Sequence, residues 1–221
     1  MEYKKFILVV LILGAVAGNV FVSAADPDPL QDFDSPGALS DFVLRDVFKN
    51  GDVSNGPGGL RAAINITLFP GIESQGITYV HFNMVPCGVN LPHTHPRASE
   101  LLTLVSGGPL QVGFVDTAGV PRINLLHPGD LTVFPRGTMH FEINVGTKRA
   151  FYISALNSQN PGTLTSGGAL LMIPDRSSAT ALNVGLDMIR KLKENMLPYT
   201  PQLELAPPAV CVPGRDITTK I

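Results

Sequence analysis

The sequence predicts an all-β sandwich or barrel followed by a helix. From Ile64 to about Ile153, short β-branched and aromatic runs recur: Ile77–Phe82, Glu100–Val105, Leu110–Val115, Leu131–Phe134 and Ala150–Ala155. Ser106-Gly-Gly-Pro109, His127-Pro-Gly-Asp130 and Pro135-Arg-Gly137 read as the turns between them. Short strands at such spacing build sandwiches and barrels. No helical periodicity interrupts the stretch, which argues against a βαβ architecture. Further on, Leu182, Leu186, Ile189, Leu192 and Met196 fall at helical spacing, with Asp187, Arg190, Lys191 and Glu194 between them. That pattern predicts one amphipathic helix of about four turns.

The elements can be justified in chain order. Lys4 and Lys5 precede an apolar run from Phe6 to Val22, and small residues at 22–25 offer a cleavage point. This is the layout of a secretory signal peptide, residues 1–25. A retained membrane anchor needs about 20 apolar residues; the run barely reaches that, and the abrupt Asp26-Pro-Asp-Pro29 favours cleavage. The cut removes Glu2, Lys4 and Lys5, which leaves 14 basic and 17 acidic residues, a net charge of −3. No basic excess points to nucleic acid or to an anionic membrane as partner. Residues 26–60, rich in Asp, Pro, Gly and Ser, read as an extended N-terminal arm, 61–199 as the barrel with its helix, and 200–221 as a Pro-rich, disordered tail. Asn65-Ile66-Thr67 is an acceptor for an N-glycan, used or unused. Cys87 and Cys211 are the two cysteines. A secreted chain could pair them, but their separation proves no proximity, and two separately buried thiols are the expected state.

Chemistry concentrates in one region. In His93-Thr94-His95, residues i and i+2 of a strand point to one face, roughly 6.6 Å apart, so two imidazoles can reach one ion. Glu100 follows a short turn, and His140 stands at another boundary between turn and strand. A buried carboxylate among imidazoles needs a cation or other compensation. His81, in an apolar strand, reads as packed or at a subunit contact. His127, Asp130 and Glu142 read as surface groups.

These residues carry a resemblance. Cys87 to Gly107 is similar to the first cupin motif, G-(x)5-H-x-H-(x)4-E-(x)6-G, with cysteine at the opening glycine. Gly129, Pro135, Gly137, His140 and Asn144 match every fixed position of the second, G-(x)5-P-x-G-(x)2-H-(x)3-N. Asp26-Pro-Asp-Pro-Leu-Gln-Asp-Phe33, Asn90-Leu-Pro-His-Thr-His-Pro-Arg-Ala-Ser-Glu100 and Ser158-Gln-Asn-Pro-Gly162 resemble the plant germins and germin-like proteins over about residues 26–197. The resemblance implies a cupin double-stranded β-helix (jelly-roll) barrel with C-terminal α-helices. It also implies a homo-oligomer, a hexamer built as a trimer of dimers, secreted to the apoplast or cell wall. His93, His95, Glu100 and His140 would hold manganese, which suits three imidazoles, a carboxylate and open positions for water; iron or zinc would also fit this donor set.

Three departures stand out. The disulfide such proteins carry near the mature N-terminus is absent, with Asp34 at its first position. Cys87 replaces a glycine that can serve a positive φ. The tail from Thr200 runs past the usual end of the family. For function, the resemblance implies superoxide dismutase-type activity with a role in defence or stress response. The alternative is a non-enzymatic cell-wall binding, receptor-like or storage cupin. Oxalate oxidation ranks below both. Oxidases of the family carry two asparagines near the metal, and Asn90 matches one while Val80 stands at the other. Asn90 is thus the expected catalytic residue, with superoxide or another small molecule as substrate.

Overall fold

A computed structural model describes residues 31–34, 36–195 and 203–215. The leader segment, Met196 and both ends of the tail lie outside them. Among the described residues ten strands form one sheet: β1 (Asp52–Gly56), β2 (Gly59–Ala63), β3 (Thr78–Met84), β4 (Gly88–Thr94), β5 (Glu100–Val115), β6 (Pro121–Leu126), β7 (Leu131–Phe134), β8 (Met139–Leu156), β9 (Leu164–Thr165) and β10 (Leu203–Leu205). The path runs β1-β2-β3-β8-β4-β10, while β5 pairs with β6, β7 and β8, and β9 with β4. The sheet curls into a barrel because β5 and β8 are long and serve two walls. The first half of β5 pairs with the second half of β8 (Glu100↔Leu156 to Leu104↔Tyr152), and the halves then exchange (Leu110↔Asn144 to Val115↔Met139).

Ser106-Gly-Gly-Pro109 is therefore not a turn between two strands. It is an irregular bend inside β5, where the register with β8 slips. Gly107 has φ +77°, and its α-carbon lies against the Arg149 carbonyl with no room for a side chain. Only glycine takes that conformation and that approach together.

Alternation along the strands separates core from surface. On β3, Thr78, Val80, Phe82 and Met84 point inward. On β8, His140, Glu142 and Asn144 do so, then Ala150, Tyr152, Ser154 and Leu156. Leu102, Leu104, Leu110 and Val112 are fully buried among them, each worth about 1.5–3 kcal/mol. The Phe82 and Tyr152 rings stack at 4.5 Å. Asn144 ties three segments: its side chain donates to the carbonyls of Met84 and Lys148 and accepts from the Gly146 amide. His81 faces outward and half-buried, among the rings of Phe48, Tyr79 and Phe151, and burial lowers its pKa.

Four further expectations about the fold need correction. The arm ends earlier than residue 60, because β1 and β2 form a hairpin whose inner strand joins β3. In the missing disulfide's place, Asp34 accepts hydrogen bonds from Ser74 and Gln31. The single long helix is two, α2 (Asp175–Leu182) and α3 (Leu186–Glu194), preceded by α1 (Ser166–Met172). Asn183 breaks it: it takes the left-handed conformation, φ 53°, and its amide closes α2 on Ala179 and Thr180. Ile189 is fully buried, whereas Leu182, Leu186 and Leu192 remain exposed.

The tail is the third correction. Leu203–Leu205 pair with Gly88–Asn90, and the Ala206 amide donates to the Cys87 carbonyl. The cysteines are the fourth: Cys87 and Cys211 form a disulfide across 124 positions, with α-carbons 5.7 Å apart. Cys87 does adopt the positive φ, 59°, that its motif position implied.

Candidate metal centre

Three strands and one strand end converge at one mouth of the barrel. β4 carries His93 inward after a register shift that follows Asn90, and His95 lies just past its end. Glu100 opens β5, and His140 on β8 sits opposite His93 in the ladder. The Gly137 amide donates to the His95 carbonyl, which draws the Pro135-Arg-Gly turn of the second motif onto the first. Phe134 stacks on His140 with centroids 4.5 Å apart.

Each imidazole is oriented through Nδ1. His93 bonds the Leu91 carbonyl (2.7 Å), His95 that of Gly162 (2.6 Å) and His140 that of Thr138 (2.8 Å). A carbonyl only accepts, so Nδ1 carries the proton and Nε2 keeps its lone pair. The Nε2 atoms of His95 and His140 stand 3.2 and 3.4 Å from Glu100 Oε2. One potential ligand atom from each of the four residues lies within 4.8 Å of all the others. His93, Glu100 and His140 are buried, and the His95 side chain is 12% exposed. Desolvation, then the neighbouring His140 and His95, push the His93 imidazole down to about 3, so it stays neutral. Burial works to raise the Glu100 carboxyl, but the His140 and His95 rings facing it hold it below the usual carboxylate range. Three imidazoles and one carboxylate, with His140 Nε2 buried and without a hydrogen bond of good geometry, fit a divalent transition-metal ion. The site the sequence marked could hold a metal.

The surroundings hold what the sequence did not reveal. Beside the four residues lies a cavity of ≈ 30 Å³, walled by Val80, Phe82, Asn90, Ser154 and Arg61 among others. A vestibule of ≈ 250 Å³ lies outside it, with Asp52, Asn65 and Gln159 in its wall. Arg61, Val80, His95, Leu156 and Thr163 line both, so they form the throat between them. Asn65, the sequon residue, folds its side-chain oxygen onto the amides of Thr67 and Leu68.

Glu142 is the clearest correction, since it is fully buried rather than a surface group. It sits opposite Asn90 in the β4–β8 ladder. Neither carboxylate oxygen makes a well-formed hydrogen bond, nor do Asn90 Oδ1 and Tyr152 Oη. Desolvation, then the Glu100 charge, push Glu142 well above the usual carboxyl range, against a smaller opposing pull from the Asn90 amide. As a neutral acid it has a proton to offer the Asn90 oxygen. A carboxyl whose folded pKa is raised stabilises fully below its ordinary value of 4.5, and that contribution is lost as pH rises through the folded pKa. In metal-free protein Glu142→Gln should therefore add stability at pH 8, about 1–3 kcal/mol, and much less at pH 5. Thermal melts at both pH values check this; equal effects at the two would contradict it.

Comparison with known proteins gives concordant matches. The cupin family model matches residues 46–190. Germin-like protein 1-3 of Oryza sativa subsp. japonica is 37% identical over 163 residues, 72% of this chain and 73% of that protein. Nectarin-1 of Nicotiana langsdorffii x Nicotiana sanderae is 32% identical over 89% of this chain and 94% of its own. Among solved structures, an oxalate oxidase superposes with TM-score 0.68 at 29% identity, over 77% of this chain and 98% of that one. Peruvianin-I, described as a cysteine peptidase from Thevetia peruviana latex, matches with TM-score 0.57 at 34% identity, over 64% and 98%.

Proposed function

Since the chain belongs to the germin-like proteins of the cupin family, we propose that it is a secreted manganese protein of the apoplast or cell wall with superoxide dismutase-type activity, serving defence or stress response. His93, His95 and His140, through Nε2, and Glu100 hold the ion. Manganese there supplies a one-electron couple between Mn(II) and Mn(III). The net reaction converts two superoxide anions and two protons to dioxygen and hydrogen peroxide.

The observation that carries this reading is the size and lining of the inner cavity. Its ≈ 30 Å³ gives room for about two water-sized particles, which favours a diatomic anion over a six-atom dicarboxylate. Val80, in the cavity wall, offers no hydrogen bond where the oxidase pattern has an amide. Asn90 is the donor this reading gives to the bound anion, while its neighbour Glu142 competes for the same amide when ionised. The Peruvianin-I likeness does not extend to thiol chemistry here: the chain has two cysteines and both are in the disulfide. A non-enzymatic cell-wall or storage role is the second reading, favoured by the small volume of the inner cavity.

Metal-loaded protein should dismutate superoxide and oxidise little oxalate. A charge-assisted hydrogen bond contributes about 1.5–3 kcal/mol, so Val80→Asn should raise oxalate turnover roughly tenfold to a hundredfold. Strong oxalate oxidation by the unmodified protein would overturn the proposal. Silence in both assays with metal bound would favour the non-enzymatic reading.

For assembly we propose the hexamer, as a trimer of dimers. An outward apolar hollow of ≈ 430 Å³, walled by Ile77, Leu101 and Val133, together with the exposed Leu182, Leu186 and Leu192, supports burial against further copies. Light scattering at micromolar concentration should report a mass several times that of one chain; a monomer would refute it. A glycan at Asn65 would stand beside the vestibule, and a mass shift on deglycosylation reads it.

A further inference from the structure

The guanidinium of Arg61 is a feature of the centre that metal binding leaves unexplained. Arg61 sits on β2 opposite Phe82, on the inward side of the hairpin and two residue pairs from Ala63↔Val80. It is largely withdrawn from solvent and lines both the vestibule and the inner cavity. Among the described residues no carboxylate lies within ion-pair distance of it, and no hydrogen bond ties it down. Desolvation pulls it below the ordinary guanidinium value, and Asp52, then Tyr152, then Glu100 pull it back from beyond contact distance. Arginine keeps its charge even so.

A half-buried, permanently charged fork without an anion is costly. The nearby carboxylates do not supply one. Glu100 faces His95 and His140, and Asp52 stands on the vestibule side. The open direction is the throat. An anion there would meet an edge of the guanidinium, with its N–H donors, on one side and the metal position on the other, in a wall otherwise apolar at Val80, Phe82 and Leu156.

We infer that Arg61 is an anion-docking group at the throat, taking a singly charged anion of two or three heavy atoms from the vestibule to the metal cavity. The fork compensates the hydrogen-bond donor that Val80 lacks, and the cavity volume sets the size limit. The inference deepens the reading of the site given above and rests on it for which anion is turned over, not for whether one binds. In a low-dielectric throat a single cation both concentrates and orients an incoming anion.

Azide is a suitable probe, since it is a linear triatomic monoanion that is not turned over. Its dissociation constant on the manganese-loaded full chain can be read from the change in the metal's electron paramagnetic resonance spectrum. Arg61→Gln should weaken azide roughly tenfold to a hundredfold while metal content stays unchanged. Arg61→Lys should fall between the two, because it keeps the charge and loses the fork. Raising ionic strength should weaken azide on the wild type and have less effect on Arg61→Gln. Should Arg61→Gln fail to fold, Asp52→Asn gives an independent reading: removing the opposing vestibule charge should tighten azide severalfold. Unchanged azide affinity in Arg61→Gln, or in Asp52→Asn if that is the variant in hand, overturns the inference. Arg61-dependent azide binding without superoxide turnover keeps the docking group and removes the dismutase reading. Superoxide turnover with azide affinity indifferent to Arg61 does the reverse.

Discussion

Replacing His93 and His140 together by alanine should take the metal content from about one ion per chain to background, and superoxide turnover with it. The two rings face each other at 4.2 Å between centroids and stand opposite in the ladder, so the double change removes two of four donors without moving a strand. It also removes the His140 ring from beside Glu100, the largest influence lowering that carboxyl. Burial then prevails and Glu100 titrates upward. Leaving that carboxylate buried with half its partners gone should cost about 3–5 kcal/mol. Elemental analysis of the purified variant checks the first claim and a melt in chelator the second. Full metal retention would refute the assignment of the four ligands.

The second large effect belongs to the disulfide. Cys87→Ser with Cys211→Ser opens a loop closed across 124 positions. For loops near that length the loss of a cross-link costs about 4.7 kcal/mol in the chain-entropy limit and 2–4 kcal/mol in typical measurements. The serine pair should therefore melt well below the wild type. It should also loosen β10, whose three residue pairs with β4 are otherwise supported by the buried Leu203 and the Ala206 amide. Hydrogen exchange at Gly88–Asn90 should rise more than at Glu100–Leu104. An unchanged melting temperature would mean that the tail is held by packing alone.

The four candidate ligands were legible in the sequence because cupin motifs space them, and the strand pattern was legible because alternation is a local signal. Two kinds of feature were not. Long-range pairing has no local signature: Cys87 and Cys211 meet only because β10 returns to β4. The fusion of apparent strands into β5 was hidden because Ser106-Gly-Gly-Pro109 has turn composition, and only the ladder to β8 shows one strand continuing through the bend. Two misreadings could have been avoided. His140, Glu142 and Asn144 are spaced i, i+2, i+4, so placing the first and last inward obliges Glu142 to follow. Asn183-Val184-Gly185 is likewise a helix stop followed by a start. Arg61 had no motif to announce it; in its hairpin it reads as a surface charge until β3 closes over it.

The position of the disulfide has a consequence for survival among proteases. All four candidate ligands lie between its two cysteines in sequence. A single backbone cut anywhere in that span, for example in the exposed Thr117–Val120 loop, leaves two pieces that remain covalently one molecule. The donors on either side of the nick stay at high local concentration, so the barrel can re-close around its ion instead of losing half its donors to dilution. On a gel such a nick is invisible until a reductant is added. Durability of this kind does not depend on a slow unfolding rate; it comes from where one bond is placed along the chain.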